Sequence, residues 1–176
     1  MSMIGFQEGS RRSIECKGND TLYSIEAHFD QNTWTYTEPY ISAIKLTCHP
    51  RHQLNIQWAG SFSDSELFGK PTASVVKAEC DPLLGIAGFT WRLAQLKDTG
   101  GEARIGGLAV VCNRAPGTTE TLPALEMDPA HPEHTGSFLC GKQPRYASSR
   151  VARVSLLDLW YNAKAFAGLA PLECQL

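Results

Sequence analysis

The residues best equipped for chemistry in this 176-residue sequence are two copies of His-Pro-x-His, His49-Pro50-Arg51-His52 and His131-Pro132-Glu133-His134. Two imidazoles three positions apart can share a metal, and two such pairs would offer the nitrogen ligands that zinc or copper takes. The same residues also make polar turns, in which proline fixes φ and histidine is merely tolerated. The first pair follows a cysteine and the second precedes one, so the copies are not in equivalent places; the turn reading is taken, and no metal or cofactor is expected. Carboxylates come next. Asp64 and Glu66 in one long irregular stretch, or Glu120, Glu126 and Asp128 in another, could form the pair of carboxyl groups about 5–10 Å apart that a glycosidase sets across a sugar. With 18 acidic residues, chance supplies many such pairs, and no catalytic residue is assigned.

Sugar binding needs exposed aromatic rings beside hydrogen-bonding groups, because a pyranose presents an apolar C–H face and a rim of hydroxyls. Asn32-Thr33-Trp34-Thr35-Tyr36-Thr37-Glu38 supplies that mixture in one segment. The candidate ligand-binding residues are therefore Trp34, Tyr36 and Glu38, together with Asp64 and Glu66 of the long irregular stretch. Trp160 and Tyr161 are further candidates. Trp58 is another, although Trp58 and Trp91 alternate with polar neighbours in a way that predicts core positions.

The six cysteines fall into matched pairs by spacing: Cys16 and Cys48 are 32 apart, Cys80 and Cys112 are 32 apart, and Cys140 and Cys174 are 34 apart. An even count at regular spacing, without any Cys-x-x-Cys, reads as disulfides made in an oxidising compartment and not as a zinc or redox motif. Bonded sulfurs are not nucleophiles, which removes cysteine catalysis. Asn19-Asp20-Thr21 is a glycosylation sequon consistent with secretion. Met1 to Ser10 has neither the basic start nor the apolar run of a secretory signal, as a mature chain carrying an added Met would also lack. The expected location is secreted and extracellular.

Composition narrows the partners. A formal net charge of −2, with Arg11-Arg12 the longest Lys/Arg cluster, gives no electrostatic footprint for nucleic acid. No apolar run approaches the ~20 residues that span a bilayer, so no membrane insertion is expected.

The elements that must carry these residues recur three times. The first unit opens at Ser13–Cys16 and alternates through Tyr23, Ile25, Ala27 and Phe29. It then runs Ile41-Ser42-Ala43-Ile44-Lys45-Leu46-Thr47-Cys48 and continues in Leu54–Trp58. Period-two alternation predicts half-buried strands. The second unit matches it: Val75–Cys80, then Gly88–Leu96, then Ile105–Cys112 with Ile41/Ile105 and Ile44/Leu108 in register. Thr121–Met127 is a weaker fourth strand, which Pro123 demotes to an edge. The third unit has Gly136–Cys140, Ser149–Leu159 and Phe166–Cys174. Leu156–Ala170 also has helix-forming composition, but its counterparts alternate, so strands are predicted. Only Gln175-Leu176 follows the last cysteine, and Met3-Ile4-Gly5-Phe6 is predicted to complete the third sheet. The longest irregular stretches, Ser61–Thr72 and Arg114–His134, are natural sites for binding surfaces.

This plan resembles the vitelline membrane outer layer protein family, on the closing strands Ile41–Cys48, Ile105–Cys112 and, less closely, Phe166–Cys174, each partnered by an alternating strand. The family's acidic-Asp-Thr-Ala-Asn run is absent, and the loops between units are longer and less rich in Trp-Gly. The resemblance implies a β-prism with pseudo-threefold symmetry, a disulfide within each unit, secretion, and oligosaccharide recognition; jacalin-type lectins share the prism. Burial argues for the same geometry, because three sheets with one apolar face each bury all three around a common axis.

The expected protein is thus an all-β, single-domain β-prism over 1–176, made of three four-stranded antiparallel sheets with internal repeats at about 11–60, 73–128 and 135–176. Its expected role is non-enzymatic binding of a glycan or an extracellular surface. Alternatives are a secreted effector or structural protein acting through protein contacts, and a small polysaccharide-active enzyme.

Overall fold

A computed structural model describes residues 4–5, 9–16, 20–31, 38–49, 63–64, 67–94, 104–115, 118–123, 136–140, 153–161 and 166–175. All regular structure among them is β: β1 (Ile4–Gly5), β2 (Ser10–Glu15), β3 (Thr21–Asp30), β4 (Tyr40–His49), β5 (Ser63–Asp64), β6 (Phe68–Gly69), β7 (Val75–Glu79), β8 (Ile86–Leu93), β9 (Ile105–Ala115), β10 (Thr118–Thr121), β11 (Gly136–Leu139), β12 (Arg153–Tyr161) and β13 (Phe166–Gln175). The helical alternative for Leu156–Ala170 is excluded at β12 and β13. Of the strand expected at Thr121–Met127 only residues 121–123 are described: the ladder on β9 is made by Thr118–Thr121 and ends before Pro123, which has no N–H to donate, while 124–127 lie outside the described residues.

Three antiparallel sheets result. Each is built on one hairpin: β3–β4 in the first, β8–β9 in the second, β12–β13 in the third. The first sheet runs β5-β4-β3-β7, with β6 also paired to β4, so two short strands share one edge. The second runs β10-β9-β8-β11 and the third β1-β13-β12-β2. As predicted, the N-terminal segment completes the third sheet, Ile4 opposite Leu169 and Gly5 opposite Gly168. The exchange goes further than the sequence suggests. Every opening strand pairs with the sheet before its own: β2 with β12, β7 with β3, β11 with β8.

The central strands β3, β8 and β12 touch one another pairwise. One apolar core runs between them, drawing on Ile25, Phe29, Ile44 and Leu46 from the first sheet, Phe89, Trp91, Leu108 and Val110 from the second, and Val154, Leu159 and Phe166 from the third. Trp91 is core, as its alternation predicts. Three twisted sheets closed about a common core make a β-prism.

The Ile-x-x-Ile spacing of the closing strands has a structural cause. A step of three cannot keep two side chains on one face of a regular strand, so one residue must be inserted. Ser42 is that residue in β4, Gly106 in β9 and Ala167 in β13; each is skipped in the pairing with the neighbouring strand. Ile41 and Ile44, and likewise Ile105 and Leu108, consequently all face the core at 0% exposure. A second set of bulges, at Tyr23, Ala87 and Ser155, lies at the opposite ends of the same hairpins. Leu172 adds one more bulge in β13, which takes up one of the two residues by which the third cysteine spacing exceeds the others.

The second bulge set explains how the disulfides are mounted. The Cys80 N–H donates to the carbonyl of Tyr23 at 2.7 Å, and the Cys140 N–H to that of Ala87 at 2.8 Å. These two opening strands thus end on the bulge of their host sheet. From there the bond crosses to the closing strand of the following sheet: Cys16–Cys48, Cys80–Cys112 and Cys140–Cys174, with Cα atoms 5.7, 5.4 and 5.9 Å apart. The three bonds join third sheet to first, first to second and second to third. They form a ring at one end of the prism.

Candidate functional site

At the end opposite the disulfides the three hairpins turn, and the first bulge set widens the closing strands there. On each central strand the residue just before the bulge points away from the core: His28, Arg92 and Trp160, paired with Ala43, Gly107 and Gly168. All three are nonetheless buried. The half-buried strand predicted for Tyr23–Phe29 is therefore wrong on its polar face, where Ser24 is 1% and His28 8% exposed.

What covers these positions differs from sheet to sheet. Over the first sheet, the segment 67–74 forms a strap. Its Lys70 N–H donates to the Ser42 carbonyl at 2.9 Å, and the Ser42 hydroxyl donates to the Lys70 carbonyl at 2.8 Å. The Thr72 N–H donates to His28 Nδ1 at 3.1 Å. Nδ1 also lies 3.0 Å from the Thr72 carbonyl oxygen, and Nε2 lies 2.8 Å from Glu26 Oε1. Lys70 Nζ pairs with Asp30 at 2.8 Å, and this hydrogen bond raises the lysine above its ordinary pKa. Phe68, at the strap's start, meets Tyr161 of the third sheet edge-on at 5.1 Å.

Over the second sheet the cover is Glu38. Its Oε1 lies 2.5 Å from Arg92 Nη1, and the two side chains are 1% and 7% exposed. The carboxylate also packs against the Gly106 bulge, where a Cβ would come within 2.8 Å of Oε1. Arg104 is buried at the same end, and the Ala94 N–H donates to its carbonyl at 2.8 Å. The desolvation of both charges offsets their attraction, so a buried ion pair adds little net stability. Here it fixes the last residue of the aromatic segment onto a neighbouring sheet.

The sequence-predicted site residues divide accordingly. Glu38 is present at the hairpin end, but its carboxylate is occupied in the interior. Asp64 is in β5 opposite Thr47, one position from Cys48 and hence toward the disulfide end. From Tyr40 to Thr47 is about seven strand steps, roughly 23 Å, so Glu38 and Asp64 do not share a site. Trp34, Tyr36 and Glu66 lie outside the described residues, as do Asn32–Thr37, Leu54–Trp58 and Glu126 and Asp128. Trp160 is buried, not a surface platform, and Tyr161 is half-buried against Phe68. Glu120, on the exposed strand β10, pairs with Arg114 of β9.

Of the two His-Pro-x-His motifs only His49 is described, its ring edge-on to Tyr23 at 6.0 Å. Among the described residues no group of three His, Cys, Asp or Glu side chains could hold a metal ion, and no helix is long and apolar enough to cross a membrane. Sequence reasoning missed Arg92 and the strap. The signal for Arg92 was its place in a strand between Trp91 and Leu93, where an arginine facing outward demands a counter-charge.

The fold defines the class: a β-prism of the jacalin-like kind. No family model matches the sequence, and no curated protein matches it. Among solved structures, the mannose-binding lectin from champedak superposes with a TM-score of 0.58 at 9% identity, covering 96% of this chain and 91% of that one. Malaysian banana lectin gives 0.55 at 12% identity, covering 98% and 97%. A mannose-binding jacalin-related lectin from Ananas comosus gives 0.52 at 14% identity, covering 98% and 96%. At such identities the likeness is one of fold.

Proposed function

We propose that this protein is a secreted, non-enzymatic carbohydrate-binding protein that takes its ligand at the hairpin end of the prism, through Trp34 and Tyr36. The observation that carries the reading is the buried Arg92–Glu38 pair. It fixes Glu38, which in the sequence directly follows a run combining two aromatic rings with threonine hydroxyls. Solved proteins of this fold include lectins described as mannose-binding, which supports a hexose as the first sugar to try. Three disulfides support an oxidising compartment. The resemblance of the closing strands to those of the vitelline membrane outer layer proteins supports one secreted domain, 1–176, with repeats at about 11–60, 73–128 and 135–176.

In this reading Glu38 holds the loop in place, Trp34 and Tyr36 contact the sugar, and Asp64 belongs to the other end of the molecule. A glycan array followed by titration calorimetry tests it. Binding of at least one glycan at micromolar to millimolar affinity is expected, with a loss of about 1–3 kcal/mol for Trp34→Ala, as for removal of one stacked ring. Absence of binding to every glycan at millimolar concentration, or binding unchanged in the Trp34→Ala/Tyr36→Ala variant, refutes it.

A further inference from the structure

The three disulfides occupy equivalent places in the ring but are unequally protected. Cys16, Cys48, Cys80, Cys112 and Cys140 are between 0% and 6% exposed, whereas Cys174 is exposed to solvent. Thiol–disulfide exchange needs a thiolate to reach a sulfur along the bond axis, so a buried bond reacts only when the surrounding structure opens. The ring topology says what each bond holds. Cys140 follows β11, which is paired to β8 of the second sheet, and Cys174 lies in β13 of the third. This bond is the disulfide link between those two sheets, and the closing strand at Cys174 is paired to Val154 next to a bulge.

We propose that Cys140–Cys174 is a redox latch: a dithiol opens it in the native protein ahead of the other two bonds and thereby uncouples the third sheet from the second. The chemistry balances with the dithiol alone. Its thiolate attacks the sulfur of exposed Cys174, and the Cys140 sulfur leaves as a thiolate and takes up a proton. The second thiol of the reductant then displaces Cys174 as its thiolate and closes the reductant's own disulfide. One protein disulfide becomes two thiols, and one dithiol becomes a disulfide. The two remaining bonds still join third sheet to first and first to second, so the ring becomes an open chain and the core stays assembled. The hairpin end, with the Arg92–Glu38 pair, is at the far end of the strands and keeps its geometry.

The test treats native protein with dithiothreitol, without denaturant, for graded times, blocks new thiols with N-ethylmaleimide and maps the labelled peptides. Cys140 and Cys174 are expected to label at least roughly tenfold faster than the other four, the ratio produced by a local-opening cost of about 1.4 kcal/mol. Simultaneous labelling of all six cysteines, or earlier labelling of Cys16–Cys48 or Cys80–Cys112, overturns the proposal. The C140S/C174S variant serves as a control and loses the fast phase; a fast phase that persists in it also overturns the proposal. Hydrogen exchange on the singly reduced protein reads the uncoupling. Loss of protection confined to β11 and β13 supports it, and uniform loss that includes β3 and β4 refutes it.

Discussion

Arg92 and Glu38 are opposite charges taken out of water together, so each is costly without the other. Glu38→Leu or Arg92→Met alone is expected to lower stability by about 3–5 kcal/mol, because it removes one member of a buried ion pair, whereas the two together recover much of the loss. Urea denaturation of the two singles and the double measures this, and additive losses would show that the pair is not coupled. Gly106→Ala tests the same contact from the other side: its Cβ would meet Ala94 Cα and Glu38 Oε1 at 2.8 Å, and an overpacking loss of about 1–3 kcal/mol is expected in the same assay. These residues show where sequence reading stops. Glu38 follows threonines, a tyrosine and a tryptophan, so its neighbours in the chain suggest a solvent-facing ligand set. Its true partner is 54 positions away, on a different sheet, and no local pattern encodes that meeting. Trp91 was legible because burial alternates with period two, which is a local property.

At the scale of elements, the spacing Ile-x-x-Ile-x-Leu-x-Cys already contained the bulge: a step of three followed by steps of two forces an extra residue. The hairpins were legible from paired alternating runs, and the completion of the third sheet from the third unit's want of a fourth strand beside the spare segment Met3-Ile4-Gly5-Phe6. The lending of β7 and β11 to the preceding sheets was not, since a strand's alternation names its buried face but not its neighbour. Two predictions belong here. Gly88→Ala would place a Cβ 2.1 Å from the Phe138 carbonyl oxygen; it is expected to detach β11 from β8, seen as faster amide exchange at Gly136–Leu139 with β3–β4 protection unchanged. The strap over the first sheet has a defined alkaline limit. Lys70 has a raised pKa in the fold through its hydrogen bond to Asp30, so its contribution is fully present below the ordinary lysine pKa of 10.5 and is lost as pH climbs through the higher folded value. Between pH 6 and 9, Lys70→Met and wild type should therefore differ by a constant amount in thermal midpoint, and a difference that shrinks within that interval would contradict the assignment. The pair is exposed, so that difference is small.

For the whole molecule, the closed ring of disulfides makes the three sheets mutually dependent. Each bond closes a loop of similar length, with separations of 32, 32 and 34 residues, so the chain-entropy model assigns each about 3–4 kcal/mol. Replacing either Cys16/Cys48 or Cys80/Cys112 by alanines should cost nearly the same amount in urea denaturation; losses differing by more than about 2 kcal/mol would mean that local strain, not loop closure, dominates. The pairing was visible in the cysteine spacing, which suggested a clamp within each unit; that each bond instead joins two sheets follows from the lending of the opening strands. The same lending sets a timetable for the chain as it is made. Ser10–Glu15 leaves the ribosome well before its partner Arg153–Tyr161, which follows about 140 residues and, at roughly 5–20 residues per second, some 7 to 28 seconds later. For that interval β2 waits without its neighbour, and the third sheet closes only once β12 has been made.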